Sequence, residues 1–548
     1  MESPLSLLQV LGCVAIVILA FSLKDYYQSD ETGFFAAVAV VGLRPEWFTW
    51  LQSTVRSLWA TQGWAFDGYN KFSKNNIPFV IPSIDRGPLV VIPPRQIKKI
   101  YDLPESVLDV HNTQNDTLQV KWTIWDDEVG VNNFQIKVIR NQLTRNLEVL
   151  TPMIAEELSW GFERFWGTDT NEWKPIRIWD SALKLIAGAA NGAFCGAPLC
   201  RNDKFLKDLR DHAMSIFAGA IIINSTPKIL KPVSGTLVGW TTWFLFEKTL
   251  KTCLPFVKER LAETAKLREN PSYNWTPPKD ALQWIIDECY LTGNPAQLDP
   301  KRVAHRLLLV NDISLHSTSF TVQNVILDLF SQDPSLGFVE ALREQCATVL
   351  AEAGGSWTRD AVRKLTLVDS TIRESMRLSP FGTIGLPRTV VHPEGIKLEN
   401  TDITVPPGTV LAVPMEPVHY DEDIYPDARK FNAFRFAQPG AVRNIFDSFT
   451  SKEDMEAARI SEANGDPKKV KSSVTLDDAF LGFGFGKYAC PGRFFALNEM
   501  KIFMAHMLLN YDIEYLKVRP QHMNIISLKL PLNKGTIRVR RRVGTVGN

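Results

Sequence analysis

A single cysteine lies among glycines and phenylalanines in the stretch LGFGFGKYACPGRFFALNEM, residues 481–500. Glycine permits tight turns and close backbone approach that other residues resist. Four glycines surround Cys490: Gly482, Gly484, Gly486 and Gly492. Apolar residues then recur at helical spacing, at Phe494, Leu497, Met500 and Phe503. The stretch therefore predicts a thiol in a tight turn at the start of a helix.

This position suits a thiolate that binds a metal. The positive end of a helix stabilises a thiolate and lowers the pKa of its cysteine. A thiolate is also a strong axial ligand for haem iron, and it favours cleavage of a bound O–O bond. Phe483 is placed to cover the sulfur. A buried structural cysteine would fit the same residues, so the loop favours a haem-thiolate site without deciding it.

The N-terminus carries an apolar run, LSLLQVLGCVAIVILAFSL, which covers residues 5–23 without a charge and precedes Lys24. As a helix it would extend about 28 Å, close to the thickness of bilayer hydrocarbon. Only Glu2 is charged before it, whereas a signal peptide needs a basic leader. We expect a retained membrane anchor, with the following basic residues favouring a cytosolic body. A second run, FFAAVAVVGL (residues 34–43), is too short to span and is expected in the membrane interface.

Charge and cysteine usage exclude several classes of function. The formal net charge is +1, so no overall basic or acidic field indicates a nucleic-acid partner. The basic run at residues 538–542 is predicted to lie on a solvated edge strand. Seven scattered cysteines do not form a disulfide framework and favour a reducing compartment. Cys195 and Cys200 have no second pair at zinc spacing and are expected to be buried thiols.

Helical patterns dominate the middle of the chain. Residues 299–332 predict one helix of about 45 Å, with a capping Asp299 and a polar cluster at its centre. Residues 359–378 predict a second helix, which Pro380 ends. Short antiparallel strands are expected over residues 395–415, followed by a charged, solvent-exposed loop at 451–471. The chain is therefore predicted to be mainly α with a minor antiparallel β region.

The segment FGFGKYACPG, residues 483–492, resembles the haem-binding loop of the cytochrome P450 family, the haem-thiolate monooxygenases. The family pattern falls on four residues: Phe483, Gly486, Cys490 and Gly492. The resemblance implies haem b with Cys490 as the axial ligand of its iron. Tyr488 stands where the family usually has a basic residue that binds a haem propionate, and Lys487 lies beside it.

Other motifs follow in the order of the family. Glu374 and Arg377 resemble its Glu-x-x-Arg pair, and Arg435 in NAFRF resembles the arginine that joins the pair. Arg140 and Arg388 resemble residues that bind haem propionates. Ile136 occupies the position, four residues before Arg140, where the family often has Trp or His. Alone, each of these charged residues would equally fit a solvated surface.

The long helix then resembles the family helix that crosses over the haem. Its acid–alcohol pair, which delivers protons to bound oxygen, falls on His316 and Ser317, followed by Thr318. Histidine transfers protons near neutral pH. A satisfied core histidine is the simpler interpretation of His316 alone, and its neighbours shift the prediction towards the site.

The resemblance implies the family fold, a triangular helical prism around haem, here with an N-terminal transmembrane helix. The expected domains are an anchor (5–23), a membrane-proximal linker (24–60) and a monooxygenase domain (61–548). The predicted substrate pocket is drawn from three segments: residues 118–125, 217–223 and 313–318. Its apolar lining favours a lipophilic fungal secondary metabolite, such as a terpenoid, an indole-terpenoid or a polyketide.

The implied partners are O₂, membrane lipid and a separate NADPH-dependent flavoprotein reductase, because no Gly-x-Gly-x-x-Gly follows a predicted strand. The implied location is the endoplasmic reticulum membrane, single-pass, with a cytosolic catalytic domain. Two alternatives stay open. One is haem-thiolate aryl coupling or peroxide rearrangement, and the other is a haem-binding membrane protein without turnover.

Overall fold

The computed structural model describes residues 34–399, 401–437 and 471–543. The predicted anchor at residues 5–23 lies outside these ranges, as do residues 451–470 of the predicted charged loop. Within the described ranges, no helix combines the length and the apolar character that a membrane span requires.

Helices form most of this structure, as predicted. In chain order they are α1 Phe34–Ala37, α2 Thr49–Lys71, α3 Pro94–Tyr101, α4 His111–Leu118, α5 Val120–Thr123, α6 Asp127–Val131, α7 Phe134–Val138, α8 Leu147–Trp166, α9 Ile178–Phe194, α10 Asp203–Asn224, α11 Lys231–Glu269, α12 Ala281–Leu291, α13 Pro300–Phe330, α14 Phe338–Glu352, α15 Arg359–Lys364, α16 Thr366–Leu378, α17 Met415–His419 and α18 Arg493–Asn510. A π-helical segment, Ile139–Leu143, connects α7 towards α8.

Short strands form small sheets beside the helices. They are β1 Phe79–Ile81, β2 Leu89–Val91, β3 Leu108–Asp109, β4 Lys174–Arg177, β5 Gly385–Val390, β6 Ile396–Lys397, β7 Thr404–Val405, β8 Val410–Val413, β9 Tyr511–Ile513, β10 Asn524–Ile525, β11 Leu528–Lys529 and β12 Thr536–Arg541. One sheet has the order β1-β2-β8-β5-β3, in which only β2 and β8 pair in parallel. A second sheet, β4-β12-β9, is antiparallel. The remaining strands form two hairpins, β6–β7 and β10–β11.

The long central helix is confirmed as α13. The Asp299 carboxylate accepts the N–H groups of Lys301 and Arg302 at 3.0 Å each, which caps the helix start. Pro300 follows at the first helical position, where its missing N–H costs nothing. The helix packs against α9, α10, α11, α16 and α18, so it runs through the main hydrophobic core.

Three sequence predictions are corrected by the structure. Residues 359–378 form two helices, because Leu365 leaves helical geometry (ψ 70°) to bury its side chain. The Gln345 side-chain oxygen Oε1 then accepts the N–H of Leu367. The C-terminal strand β12 is the central strand of its sheet and not an edge strand, since it pairs with both β4 and β9.

The third correction concerns residues 34–43, which do not form a free membrane-contacting surface. Phe34 and Val38 are buried in a core cluster with strand residue Val80. The Val41 N–H donates to the Val80 carbonyl at 2.9 Å, and the Val80 N–H donates to the Ala39 carbonyl at 2.8 Å. Apolar length alone predicted an interfacial segment, whereas the sheet offers this segment backbone partners and a protein core. The predicted boundary at residues 60 and 61 stays a prediction, and α2 runs continuously across it.

Three buried histidines and the partly buried His522 are neutral in the folded protein at neutral pH. Burial lowers the pKa of His305 and His419 to about 3, and that of His506 and His522 to about 4. The pKa of a histidine in an unfolded chain is about 6.5. Between these values the unfolded chain binds protons that the folded chain does not, so the free energy of unfolding falls as the pH falls.

Replacement of His506 by Phe tests this linkage. The His506 ring stacks on Phe162 at 4.9 Å and its Nε2 has no hydrogen-bond partner, so phenylalanine fits the same contact. We expect the pH dependence of the unfolding free energy to lose about 1.4 kcal/mol per pH unit between about pH 4 and 6.5. Denaturant unfolding at several pH values measures this slope. An unchanged slope would mean that His506 is already protonated in the fold.

Candidate active site

The cysteine loop is the tight turn that the sequence predicts. The Gly484 N–H donates to the Leu481 carbonyl at 2.9 Å, and the Cys490 N–H donates to the Phe483 carbonyl at 2.8 Å. Gly484 and Gly486 have φ values of +86° and +64°, a left-handed region in which side chains are strained. These two glycines therefore allow the chain to fold back, and Cys490 lies three residues before the start of α18.

The Cys490 thiol differs from the other described cysteines. All of the others, including Cys195 and Cys200, are buried, while Cys490 is partly exposed and unpaired. The backbone N–H groups of Gly492 and Arg493 act to lower the pKa of Cys490, but burial outweighs them and raises it above the ordinary value. Coordination to a cation removes the thiol proton outright. The loop therefore places the Cys490 sulfur near the backbone N–H groups at the start of α18.

The centre of helix α13 is less buried than the stretches on either side of it. Residues 303–312 and 318–330 are buried. Between them, Ile313 is 50% exposed, and Ser314, His316 and Ser317 are partly exposed. The Ser317 and Thr318 hydroxyls both donate to the Ser314 carbonyl at 3.2 Å. The predicted proton-delivery residues thus lie on the stretch of the helix that a bound molecule can reach, with Thr318 itself buried.

His316 lies between two aromatic rings. It stacks on Trp179 at 6.1 Å and meets the edge of Phe217 at 6.0 Å. Both ring nitrogens are buried and neither makes a well-formed hydrogen bond, although the Arg210 backbone acts on its pKa. Burial lowers the pKa of His316, so the ring is neutral at pH 7. A buried imidazole without partners needs a ligand or water to satisfy its nitrogens.

Arg388 is a buried cation without a carboxylate partner among the described residues. It lies on β5, and its guanidinium donates to the neighbouring Pro387 carbonyl at 2.8 Å. The rings of Tyr101 and Tyr488 lie 5.1 and 5.7 Å from its guanidinium carbon. A buried charge is costly unless it is paired, so this position fits an anionic ligand group.

The comparisons with known proteins agree with this geometry. The family model described as Cytochrome P450 matches residues 240–539, more than half of the chain. Cytochrome P450 monooxygenase okaG of Penicillium ochrochloron is 48% identical over 502 residues, which cover 92% of this chain and 93% of that protein. Cytochrome P450 monooxygenase gloP of Glarea lozoyensis is 33% identical, with 97% and 96% covered.

The chain belongs to the cytochrome P450 family. It is a cytochrome P450 monooxygenase, an enzyme whose cofactor is haem with a thiolate-bound iron, and the family uses O₂, a small substrate and a redox partner. The residues of this P450 fit that cofactor. Cys490 is partly exposed beside the backbone N–H groups of a helix start. On the strand beside the loop, the buried Arg388 guanidinium has no carboxylate partner within the part of the chain that the structure describes. The exposed Ile313 and the partly exposed His316 leave the centre of α13 accessible.

The other residues predicted to bind haem differ in their exposure and in their hydrogen-bond partners. Arg140 is exposed on the π-helical segment. Burial and the Glu105 carboxylate raise the pKa of Tyr488 to about 12, against the opposing charges of Arg388 and Arg140. The Tyr488 hydroxyl donates to the Glu105 carboxylate at 2.6 Å, so it is engaged in a protein contact. Phe483 is half-buried within the cysteine loop. The propionate roles of Arg140, Arg388 and Tyr488 stay predictions.

The predicted charged network is present, with Glu374 and Arg377 fully buried and Arg435 partly exposed. Glu374 and Arg377 form an ion pair at 2.8 Å, and both side chains are 0% exposed. Arg435 joins through its Nε, which donates to both Glu374 carboxylate oxygens at 3.0 and 3.1 Å. Arg377 also donates to the carbonyls of His419 and Ala428 at 2.5 and 2.7 Å. This network holds α16 to the irregular segment after α17.

The three predicted pocket segments approach one another. Phe217 of α10 contacts His316 of α13, as described above. The Gln119 side-chain amide donates to the Asn224 side-chain oxygen at 2.6 Å, which joins the segment at 118–125 to the end of α10. The Asn224 amide in turn donates to the Thr117 carbonyl at 3.0 Å. The Trp125 indole N–H donates to the Gly239 carbonyl at 3.2 Å, which attaches the same segment to α11.

Sequence reasoning missed two residues near the loop. Arg493 donates to the Cys490 carbonyl at 2.9 Å, while its buried Nε has no partner. Its position directly after the loop was the available signal. His419 contacts the loop from α17, more than 60 residues earlier, and no local pattern marked it.

Proposed function

We propose that this P450 oxidises a lipophilic secondary metabolite, with Cys490 as the iron ligand. Terpenoids, indole-terpenoids and polyketides are the candidate substrate classes. The observation that carries the proposal is the partly exposed Cys490 thiol, held by a glycine turn at the start of α18. When bound, haem supplies the activation of O₂ that a side chain alone cannot provide.

Separate groups of residues are proposed to hold the cofactor, to transfer protons and to bind the substrate. The Gly492 and Arg493 N–H groups hold the sulfur, and Arg388 offers its buried charge to a propionate. His316 and Ser317 stand where a proton could pass along α13 to the reacting centre. Phe217, Ile313 and Trp125 belong to the three predicted pocket segments, and their apolar side chains favour a substrate that is itself largely apolar.

Electrons are proposed to come from an NADPH-dependent flavoprotein reductase. The test is turnover of a candidate substrate under ¹⁸O₂, with and without NADPH and reductase. We expect a product that contains the label and forms only with both. Product formed from a peroxide without NADPH, or a coupled product without a new oxygen atom, would instead support the alternative reaction class. No turnover with any substrate, together with a haem that takes up no CO, would support a non-catalytic haem protein.

Replacing His316 by Ala is expected to slow product formation by about 10²-fold, the usual contribution of a positioned acid or base. NADPH oxidation should fall much less, because electron delivery does not need the imidazole. Product and NADPH are measured in the same reaction. Ser317→Ala should also lower product formation much more than NADPH oxidation.

His305→Phe is the matched control for this prediction. His305 lies on the same helix and packs its ring 4.4 Å from that of Phe246, away from the opening. It should leave the ratio of product to NADPH unchanged. Equal losses in the His305 and His316 variants would assign His316 a packing role only.

The proposed location is the endoplasmic reticulum membrane, with a single span at residues 5–23. Exposed apolar side chains on one face of α11 support contact with lipid: Val233, Leu237, Trp240 and Phe244. Trp47 and Trp59 are also exposed. The full chain should resist alkaline carbonate extraction from microsomes, whereas a chain that begins at residue 34 should be extracted. Extraction of the full chain would exclude the spanning anchor.

A further inference from the structure

His419 joins two parts of the site that are far apart in sequence. It ends the short helix α17, is 0% exposed, and stacks its ring on Phe480 at 5.6 Å with an interplanar angle of 17°. Its Nδ1 lies 3.1 Å from the Arg377 carbonyl oxygen. On the other side of the ring, the Leu481 N–H donates to Nε2 at 3.1 Å. Both ring nitrogens are therefore used, one on each side.

These two contacts fix the tautomer of the ring. A carbonyl oxygen only accepts hydrogen bonds, so Nδ1 must carry the proton. Nε2 then presents its lone pair to the Leu481 N–H. Burial and the positive charge of Arg377 lower the pKa of His419 to about 3, so this neutral form persists throughout the physiological range.

The Leu481 bond lies at the entrance to the cysteine loop. Leu481 accepts the N–H of Gly484 and so closes the first turn, and Phe483 within that turn accepts the N–H of Cys490. Three hydrogen bonds of the loop backbone therefore connect the His419 ring, through Leu481 and the peptide group between Phe483 and Gly484, to the N–H of Cys490. The backbone carbonyl of His419 accepts a hydrogen bond from the Arg377 guanidinium. This bond attaches His419 to the Glu374–Arg377 ion pair.

We propose that His419 is a positioning residue for the thiolate, since its ring holds the cysteine loop in register with the buried Glu374–Arg377–Arg435 network. The residue acts through the Leu481 N–H and touches neither substrate nor cofactor. The inference rests on Cys490 as the iron ligand, and it adds a named contact through which the network reaches that ligand.

The test compares three variants of the full-length holoenzyme. In His419→Gln the amide can still accept the Leu481 N–H in place of Nε2. In His419→Asn the amide can replace only the Nδ1 contact to Arg377. His419→Phe keeps the stacking on Phe480 and removes both hydrogen bonds. His506→Phe, another buried stacked histidine, is the control.

Two readouts separate positioning from general stability. The reduced, CO-bound spectrum reports the fraction of haem that keeps its thiolate, and hydrogen exchange reports the Leu481 amide. We expect the Asn and Phe variants to exchange this amide at least about tenfold faster than the Gln variant, the scale of one lost hydrogen bond. They should also lose a larger fraction of the thiolate band. The control should match the wild type in both readouts.

Several outcomes would overturn the proposal. Equal spectra and exchange in the Gln and Asn variants would do so, as would a His506→Phe variant that loses the thiolate band equally. Should the His419 variants not fold, the wild type still decides: a Leu481 amide that exchanges as fast as an exposed amide shows that the bond is absent. A Cys490→Ala protein that keeps the thiolate band would refute the ligand assignment itself, independently of the Leu481 exchange.

Discussion

Replacing Cys490 by Ala is expected to abolish both the thiolate-type absorption band of the reduced, CO-bound protein and all substrate oxidation. Alanine removes the sulfur that the glycine turn holds at the start of α18. No other described cysteine is partly exposed, so none can replace it without rearrangement. The spectrum, recorded beside haem content, measures the loss directly.

Cys346→Ala is the matched control. Cys346 is fully buried in α14, and burial raises its pKa to about 12, so it is an inert protonated thiol. Its variant should keep the wild-type band, with at most a loss of stability from the small cavity. A Cys490→Ala protein with an unchanged band, or a Cys346→Ala protein without one, would refute the assignment of the ligand.

Replacing Glu374 by Gln is expected to destabilise the fold by about 3–5 kcal/mol, because it removes one partner from a fully buried ion pair. Arg377 and the Nε of Arg435 would lose the carboxylate that neutralises them, with no water to replace it. The same carboxylate accepts the Asn432 N–H at 3.1 Å, so the segment after α17 would loosen as well. Thermal unfolding and haem retention after gel filtration measure the effect.

Glu352→Gln gives the comparison for a surface pair. Glu352 lies 2.9 Å from Lys364, and both side chains are more than half exposed. Exposed pairs of this kind contribute about 0–1 kcal/mol, so this variant should unfold almost as the wild type does. Equal unfolding temperatures for the Glu374 and Glu352 variants would show that the buried network contributes no more than an ordinary surface contact.

The sequence predicted those parts of the site that depend on neighbouring residues. The turn before Cys490 follows from glycines that can take positive φ, and α13 follows from the Asp299 cap and Pro300. The Glu374–Arg377 pair lies on one helix face at a spacing of three residues. In each case the interacting groups are close in sequence, so their geometry is set by local backbone preferences.

The errors share a different cause. Leu365 interrupts a good helical pattern because its side chain fills the core, and a distant Gln345 caps the helix that resumes. The segment at 34–43 has the apolar character of a membrane surface, yet it pairs with Val80. Strand β12 carries the charges of an edge strand and still lies between two others. Tertiary contacts outweighed local preference at all three positions.

By itself, the sequence determined the family, through its ordered motifs, and the mainly helical class, because helix periodicity and capping act over a few residues. It also predicted Cys490 as the iron ligand. Only the tertiary structure decided that Arg388 is a buried cation with no carboxylate partner in the described ranges and that His316 lies between Trp179 and Phe217. It alone joined His419 to Leu481. These contacts link residues separated by tens to hundreds of positions, and their energies depend on burial that no local pattern encodes.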